Sequence, residues 1–488
     1  MIDLTVDKKV MMRNAQIAGK RGVTIPTFGQ MIDHNLIPDN VKNELMGIGM
    51  WDIHPRNLYR IGWHNEAVDH GGGFGLPNFV EFPSEVTGVD ARIIALIGKW
   101  FPTGAHKVGA AFGCLVPRLV TGQFDLANQK SVWPSTGNYC RGGAYDAALL
   151  GCESIAILPE GMSKERFKWL QGVAGNIIKT PGSESNVKEI FDKCWELRDS
   201  GENLMIFNQF EELGNYLWHY CVTGPAFAEV AEQMKIDEDD VKGFVCSTGS
   251  AGTIAAGDYL KDRWKGILIG ASEALQCPTL LNNGYGSHRI EGIGDKHVPW
   301  IHNVRNTDMV IAIDDNNVMN VSRLFNEQAG HNVMEKLGVN PSFIDGLDQA
   351  GISGISNLMS AIKMAKWYEC DSDDVIFTVL TDGMELYNSR LEEMSAQYGE
   401  LSENEAEVIY HRDLMSLSID NVSELNYYDK KRIHNLKYFT WVEQQGRDVD
   451  ELNRQWSDKT YWSEAMETAC ELDRLITEFN ECSRNGEL

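Results

Sequence analysis

The chain has 488 residues, 43% of them hydrophobic and 23% charged, an ordinary globular composition long enough for two or three packed units. Its formal net charge of -26 argues against a nucleic-acid partner, because phosphate binding relies on a basic surface. The N-terminal MIDLTVDKKVMMRNAQIAGKRG has no apolar run after its first basic residues, and no stretch approaches the roughly 20 apolar residues of a membrane span, so a cytoplasmic protein with no membrane partner is expected. None of the ten cysteines forms a CxxC pair, so no metal site is expected and the thiols read as reduced, structural groups.

In chain order, residues 1–75 are mixed and run into HGGGFGLP, a Gly-rich stretch read as a flexible entry to the core. From about 90 to 385, short β-branched runs alternate with helical patterns, as βαβ units do. The predicted strands are ARIIALIG (91–98), ESIAILP (153–159), AGNIIKT (174–180), ENLMIF (202–207), KGFVCS (242–247), GILIGA (266–271), DMVIAI (308–313) and DVIFTVL (374–380). Their continuous apolar character fits a parallel sheet covered by helices on both faces. Predicted helices between them include 164–173, 186–200, 223–234, 251–264 and 355–368. From about 390 onward, helical periodicity combines with many acids and an aromatic cluster, too aromatic for disorder, so this tail is expected to pack on the core or on a second subunit.

Three strand-to-helix junctions carry chemistry. In KWFPTGAHKVGAAFGCLV, Lys107 opens a helix of small residues; near a helix N-terminus and desolvated by apolar neighbours, its neutral, nucleophilic amine becomes accessible. Taken alone, that segment reads more readily as an exposed first-turn lysine. In KGFVCSTGSAGTIAAGDYLKDRW, Gly249, Ser250, Ala251, Gly252 and Thr253 can cradle a phosphate with backbone N–H groups and hydroxyls, while the absence of GxGxxG and Gly-Lys-Ser/Thr disfavours a nucleotide. In SVWPSTGNYCRGGAYDAALLG, Ser135, Thr136, Gly137, Asn138 and Tyr139 form either a second anion loop, suited to a substrate carboxylate, or a ligand-free N-cap.

Taken in order, PTGAHK (Lys107), STGNY, LPEGMSKERFKWLQGVAGNIIKTPG, NQF, TGPAFAEV, GSAGTI, HRIEGIGDKHVP and GISGISN resemble the successive landmarks of the cysteine synthases and cystathionine β-synthases, fold-type II pyridoxal-phosphate enzymes of the tryptophan synthase β-subunit kind. The resemblance covers about 76–390. It implies an α/β fold of two doubly wound subdomains with mainly parallel sheets, the smaller at about 115–225, followed by a helical, aromatic-rich C-terminal extension over 391–488. It also implies pyridoxal 5'-phosphate as cofactor and a homodimer.

By position, the resemblance makes Lys107 the cofactor-bearing lysine and the base at the substrate α-carbon. It gives Ser135, Thr136, Gly137 and Asn138 the substrate carboxylate, with Asn138 also facing the cofactor's ring hydroxyl. Gln209 contacts the carboxylate, Gly249 to Thr253 hold the phosphate, and Ser353, with Ser356 as second choice, meets the pyridine nitrogen. The implied reaction is β-elimination or β-replacement on a β-substituted L-amino acid of the serine, O-acetylserine or cysteine type, through an aminoacrylate, with replacement favoured. The alternatives are a threonine synthase, a serine/threonine dehydratase or ammonia-lyase type reaction, and a non-catalytic partner-binding member of the family. Several positions depart from the pattern. PTGAHKVGAA is closer to tryptophan synthase β-subunits, Tyr139 replaces a small hydroxyl residue, and Arg141 either meets a second anionic group or lies on the outer face of its helix. His288 and Arg289 are placed near the entrance.

Overall fold

The computed structural model describes residues 1–484. Eleven strands form two sheets: β1 (Phe79–Phe82), β2 (Arg92–Ile97), β3 (Lys130–Pro134), β4 (Ser154–Pro159), β5 (Asn176–Thr180), β6 (Leu204–Ile206), β7 (Val241–Ser247), β8 (Leu268–Ala274), β9 (Met309–Ile313), β10 (Val375–Leu380) and β11 (Val422–Glu424). The larger sheet has the order β1-β2-β10-β7-β8-β9-β11, and the smaller β5-β4-β3-β6. Every pairing is parallel except at the two edges of the larger sheet, where β1 runs against β2 and β11 against β9. The chain therefore leaves the larger sheet after β2, builds the smaller one, and returns at β7.

The eight predicted strands all form, and their apolar runs are buried for the reason expected: β4, β9 and β10 are buried along their whole length beneath helices. The five predicted helices form too, at Lys164–Gln171, Val187–Asp199, Gly224–Met234, Ala255–Arg263 and Ile352–Trp367. The second and third start one residue later than predicted and the fifth three residues earlier; the fourth starts four residues later, because 251–254 forms a loop with Ala251 at φ 58°.

The C-terminal region is helical, with one difference from expectation: β11 lies in it and caps the edge of the larger sheet. The region packs on the core. The helix Tyr461–Arg484 lies against the helices Lys8–Lys20 and Lys107–Thr121, and the buried Trp441 donates its indole N–H to the Val298 carbonyl at 2.8 Å. The fully buried Lys437 donates to the carbonyls of Trp300 (2.9 Å) and His302 (2.7 Å) and to Gln455 Oε1 (2.8 Å). Burial pushes its pKa down, yet three acceptors for three N–H bonds keep the ammonium form satisfied. Lys437→Met leaves the Trp300 carbonyl and Gln455 Oε1 without a donor, while the His302 carbonyl keeps the Val304 N–H, and is expected to cost about 3 kcal/mol of stability in urea titration.

Candidate active site

The loops that leave the carboxyl ends of the parallel strands converge on one cleft, the place where open α/β sheets bind ligands. Lys107 follows β2, Ser135, Thr136 and Asn138 follow β3, Glu184 follows β5, Gln209 follows β6, Gly249 and Ser250 follow β7, and Thr381 follows β10; all line the cleft. Ser353, at the start of the helix Ile352–Trp367, completes its wall.

Lys107 is held there by the packing of its own helix. Gly109 and Gly113 lie on its face toward the helix Leu213–Trp218; a Cβ at Gly113 would overlap the Gly214 carbonyl oxygen, and one at Gly109 would overlap the Trp218 ring. Only glycine lets these backbones approach so closely. Lys107 Nζ then reaches Ser250 Oγ at 2.8 Å and Gln209 Oε1 at 3.4 Å. Desolvation lowers its pKa from 10.5 to about 8.

The loop after β7 is an anion cradle. None of the backbone N–H groups of 249–254 donates to an acceptor among the described residues, and they precede the helix Ala255–Arg263, whose dipole favours a negative charge. A Cβ at Gly252 would overlap the Asn215 amide, so a side chain there would close the cradle. Asn215 Nδ2 and Lys107 Nζ both donate to Ser250 Oγ, leaving that hydroxyl's proton free. His106 Nδ1 lies 3.0 Å from the Thr381 carbonyl, which can only accept, so Nδ1 carries the hydrogen and Nε2 accepts from Thr253 Oγ1 at 3.3 Å. Burial lowers the His106 pKa to about 3, which fixes this neutral tautomer. Pyridoxal phosphate fits this arrangement: a desolvated amine stands beside a cradle of unpartnered N–H groups, with the Ser353 hydroxyl on the same wall.

Eight of the predicted positions line the cleft: Lys107, Ser135, Thr136, Asn138, Gln209, Gly249, Ser250 and Ser353. Ser353 Oγ lies 2.5 Å from Thr381 Oγ1, whereas Ser356 is buried with its hydroxyl unpartnered and does not line the cleft. Gln209 Nε2 donates to Ser135 Oγ at 3.1 Å. Gly137, Ala251, Gly252 and Thr253 shape the loops from behind the cleft surface. Asn138 Nδ2 donates to Asp382 Oδ2 and Asn138 Oδ1 accepts from Arg141 at 3.3 Å.

Three other side chains lie away from the cleft. Arg141 takes neither of its two expected places: it is buried, donates to the Thr103 carbonyl at 2.8 Å and stacks on Trp169. His288 is buried, and Arg289 pairs with Asp315 at 3.2 Å.

Several residues of the site escaped the sequence reading. Asp382, fully buried and with its pKa raised by desolvation, receives Asn138, Tyr387 and Thr381. Arg166, also fully buried, pairs with Glu291 at 2.7 Å and donates to the Thr136 carbonyl at 3.0 Å, bracing the loop after β3. Glu184 accepts from Thr136 Oγ1. The strand-then-loop position of TPGSESN and TDGMEL was the available signal for Glu184 and Asp382.

The lowered pKa of Lys107 has a measurable consequence. The neutral fraction of its amine rises about tenfold per pH unit below about 8 and levels above it. The rate at which apoenzyme covalently captures pyridoxal phosphate, followed by absorbance, is expected to plateau near pH 8. An ordinary lysine would keep rising to beyond pH 10.

Residues 100–335 match the family model described as pyridoxal-phosphate dependent enzyme. A cysteine synthase of Staphylococcus aureus is 29% identical over 259 residues, 53% of this chain and 75% of that protein. Cysteine synthase B of Campylobacter jejuni is 29% identical over 289 residues, covering 59% and 87%. Among solved structures, a hydrogen sulfide-producing enzyme from Fusobacterium nucleatum superimposes with a TM-score of 0.55 at 22% identity, over 71% of this chain and 95% of that one. The cysteine synthase of Entamoeba histolytica gives 0.57 at 20% identity, over 69% and 92%. These structures share the fold, two mainly parallel α/β units, and the chain is an enzyme that uses pyridoxal 5'-phosphate as its cofactor and is similar over its core to the cysteine synthases.

Proposed function

We propose that this enzyme catalyses β-replacement on a β-substituted L-amino acid of the serine, O-acetylserine or cysteine type, and does so as a homodimer. The observation that carries the reading is the position of Lys107 Nζ, desolvated and within hydrogen-bond reach of both Ser250 in the anion cradle and Gln209 across the cleft. Bound pyridoxal phosphate supplies the electron sink that makes the substrate α-proton removable. The Gly249 to Thr253 backbone holds its phosphate, and the Ser353 hydroxyl meets its ring nitrogen as a neutral partner. Lys107 Nζ takes the α-proton. Ser135, Thr136, Gly137 and Asn138, with Gln209, hold the substrate carboxylate, so that the α-hydrogen faces Lys107.

The curated relatives named cysteine synthase support replacement over elimination. The test is a product assay: holoenzyme given O-acetyl-L-serine and sulfide is expected to form cysteine, with pyruvate and ammonia at less than about a tenth of it. Pyruvate as the main product would instead make the enzyme a lyase. Sedimentation equilibrium of the holoenzyme is expected to give twice the chain mass.

A further inference from the structure

An arginine of the C-terminal extension is tied to the wall of the cleft. Arg432, half-buried on the helix Tyr427–Lys437, donates from Nη2 to the Leu280 carbonyl at 2.8 Å and the Leu281 carbonyl at 3.4 Å, and from Nη1 to Asn283 Oδ1. These acceptors form the C-terminal end of the four-residue helix Thr279–Asn282, which Asn283 closes at φ 53°. Among the described residues neither carbonyl has another donor. The opposite end of this helix rests on the buried Glu273, whose carboxyl accepts from the N–H groups of Leu280 (2.8 Å) and Leu281 (2.9 Å). A helix this short does not hold itself, so an acid at its N-terminus and a guanidinium at its C-terminus fix it in place.

That helix in turn holds the cleft. The buried Thr279 hydroxyl shares its proton between the carbonyls of Asp295 (2.7 Å) and Gly284 (3.1 Å). Asp295 ends the stretch 292–295, in which Gly292, Gly294 and Asp295 line the cleft. Gly292 lies against two walls at once: a Cβ there would stand 3.3 Å from Ser353 Oγ, and a Cβ at Gly249 would stand 3.1 Å from the Gly292 carbonyl oxygen. Beyond the short helix, the Gly286 carbonyl accepts from Ser185 Oγ at 2.6 Å, one residue past Glu184 of the cleft. Anchoring the extension itself does not need Arg432. Lys430 of the same helix donates to Asp308 Oδ1 and the Arg305 carbonyl, both at 3.1 Å, and Lys437 to the carbonyls of Trp300 and His302.

We propose that Arg432 is a positioning residue of the active site, through which the C-terminal extension holds the 292–295 wall where substrate binds. The proposal rests on the reading of the cleft as an amino-acid site and gives the extension its role there. Released from Arg432, the short helix and the wall it carries sample other positions. Substrate binds only the fraction with the wall in place, so its apparent Kd rises in inverse proportion to that fraction. Lys107 and Ser250 belong to elements that Arg432 does not touch, so the chemical step is retained.

The test compares wild-type holoenzyme with Arg432→Met and Arg432→Lys, by titrating L-serine against the cofactor's absorbance and by backbone hydrogen exchange. Arg432→Met removes the donors and is expected to raise the serine Kd at least about tenfold, while kcat with O-acetyl-L-serine and sulfide changes by less than about threefold. Amide exchange is expected to quicken in 280–287 and 292–295 and to stay at the wild-type rate in 300–308. Arg432→Lys still brings a cation and N–H donors to the helix end and is expected to keep the Kd within about threefold of wild type. A serine Kd within about threefold of wild type in Arg432→Met, or a raised Kd with unchanged exchange in 292–295, overturns the proposal and leaves the β-replacement reading standing. Faster exchange in 300–308 as well would mean that the whole extension has come away, and overturns a role specific to Arg432. A wild-type cofactor band that responds to neither L-serine nor O-acetyl-L-serine overturns the amino-acid reading, and the exchange comparison still decides whether Arg432 holds the wall.

Discussion

Lys107→Ala is expected to lower kcat by at least about 10³-fold, because it removes the attachment point of the cofactor and the base at the α-carbon together. The loss belongs to chemistry rather than folding. Lys107 makes two hydrogen bonds, to Ser250 and Gln209, and both partners keep another in the variant: Ser250 retains Asn215, and Gln209 retains Ser135. Thermal unfolding of Lys107→Ala should therefore stay within a few degrees of the wild type. Methylamine added to the variant is expected to restore part of the rate by supplying a free base. A Lys107→Ala enzyme with more than about a tenth of wild-type kcat would remove Lys107 from the proposed chemistry.

Gly113→Val is expected to have the largest structural effect of any single change near the site. The helix that starts at Lys107 touches the helix Leu213–Trp218 through Gly113 and Gly214, each lying against the other's backbone carbonyl. A valine side chain has no room to rotate away from backbone, so the helices must separate, at a cost of about 3 kcal/mol. Separation also moves Lys107 relative to Gln209 and Ser250, and a displacement of about 1 Å can cost about 10² in kcat. Gly113→Ala should show the same signs at smaller size. Wild-type stability and kcat in Gly113→Val would mean that this contact does not position Lys107.

Much of the frame was legible because parallel strands covered on both faces must be apolar at every position, and β4, β9 and β10 carry that signature. β1 and β11 were not, and both are short edge strands that carry the half-exposed Glu81 and the exposed Glu424. FVEF and VSE therefore look like loop. The junction residues Lys107, Ser135 and Ser250 were readable because strand, small-residue turn and helix follow one another locally in the chain. Ser353 and Ser356 could not be separated by pattern alone; three residues apart on a helix, they stay close in angle, and the loop around Gly292 leaves only Ser353 at the cleft.

Glu184 and Asp382 reach one site from two loops far apart in sequence, and no local pattern records that meeting. Arg141 shows the converse. Its side chain resembled a ligand contact in sequence, but Trp169 and the Thr103 carbonyl claim it in the fold. In the tail, Trp441, Tyr461 and Trp462 pack against Phe210, Tyr216 and Trp300, whereas Tyr427, Tyr428 and Phe439 stay exposed, so aromatic content alone does not separate the two.

If Lys107 bears the cofactor, borohydride reduction of the holoenzyme followed by peptide mapping should yield a single phosphopyridoxyl-modified peptide, the one containing Lys107. Modification at a different lysine, or at none, would contradict it.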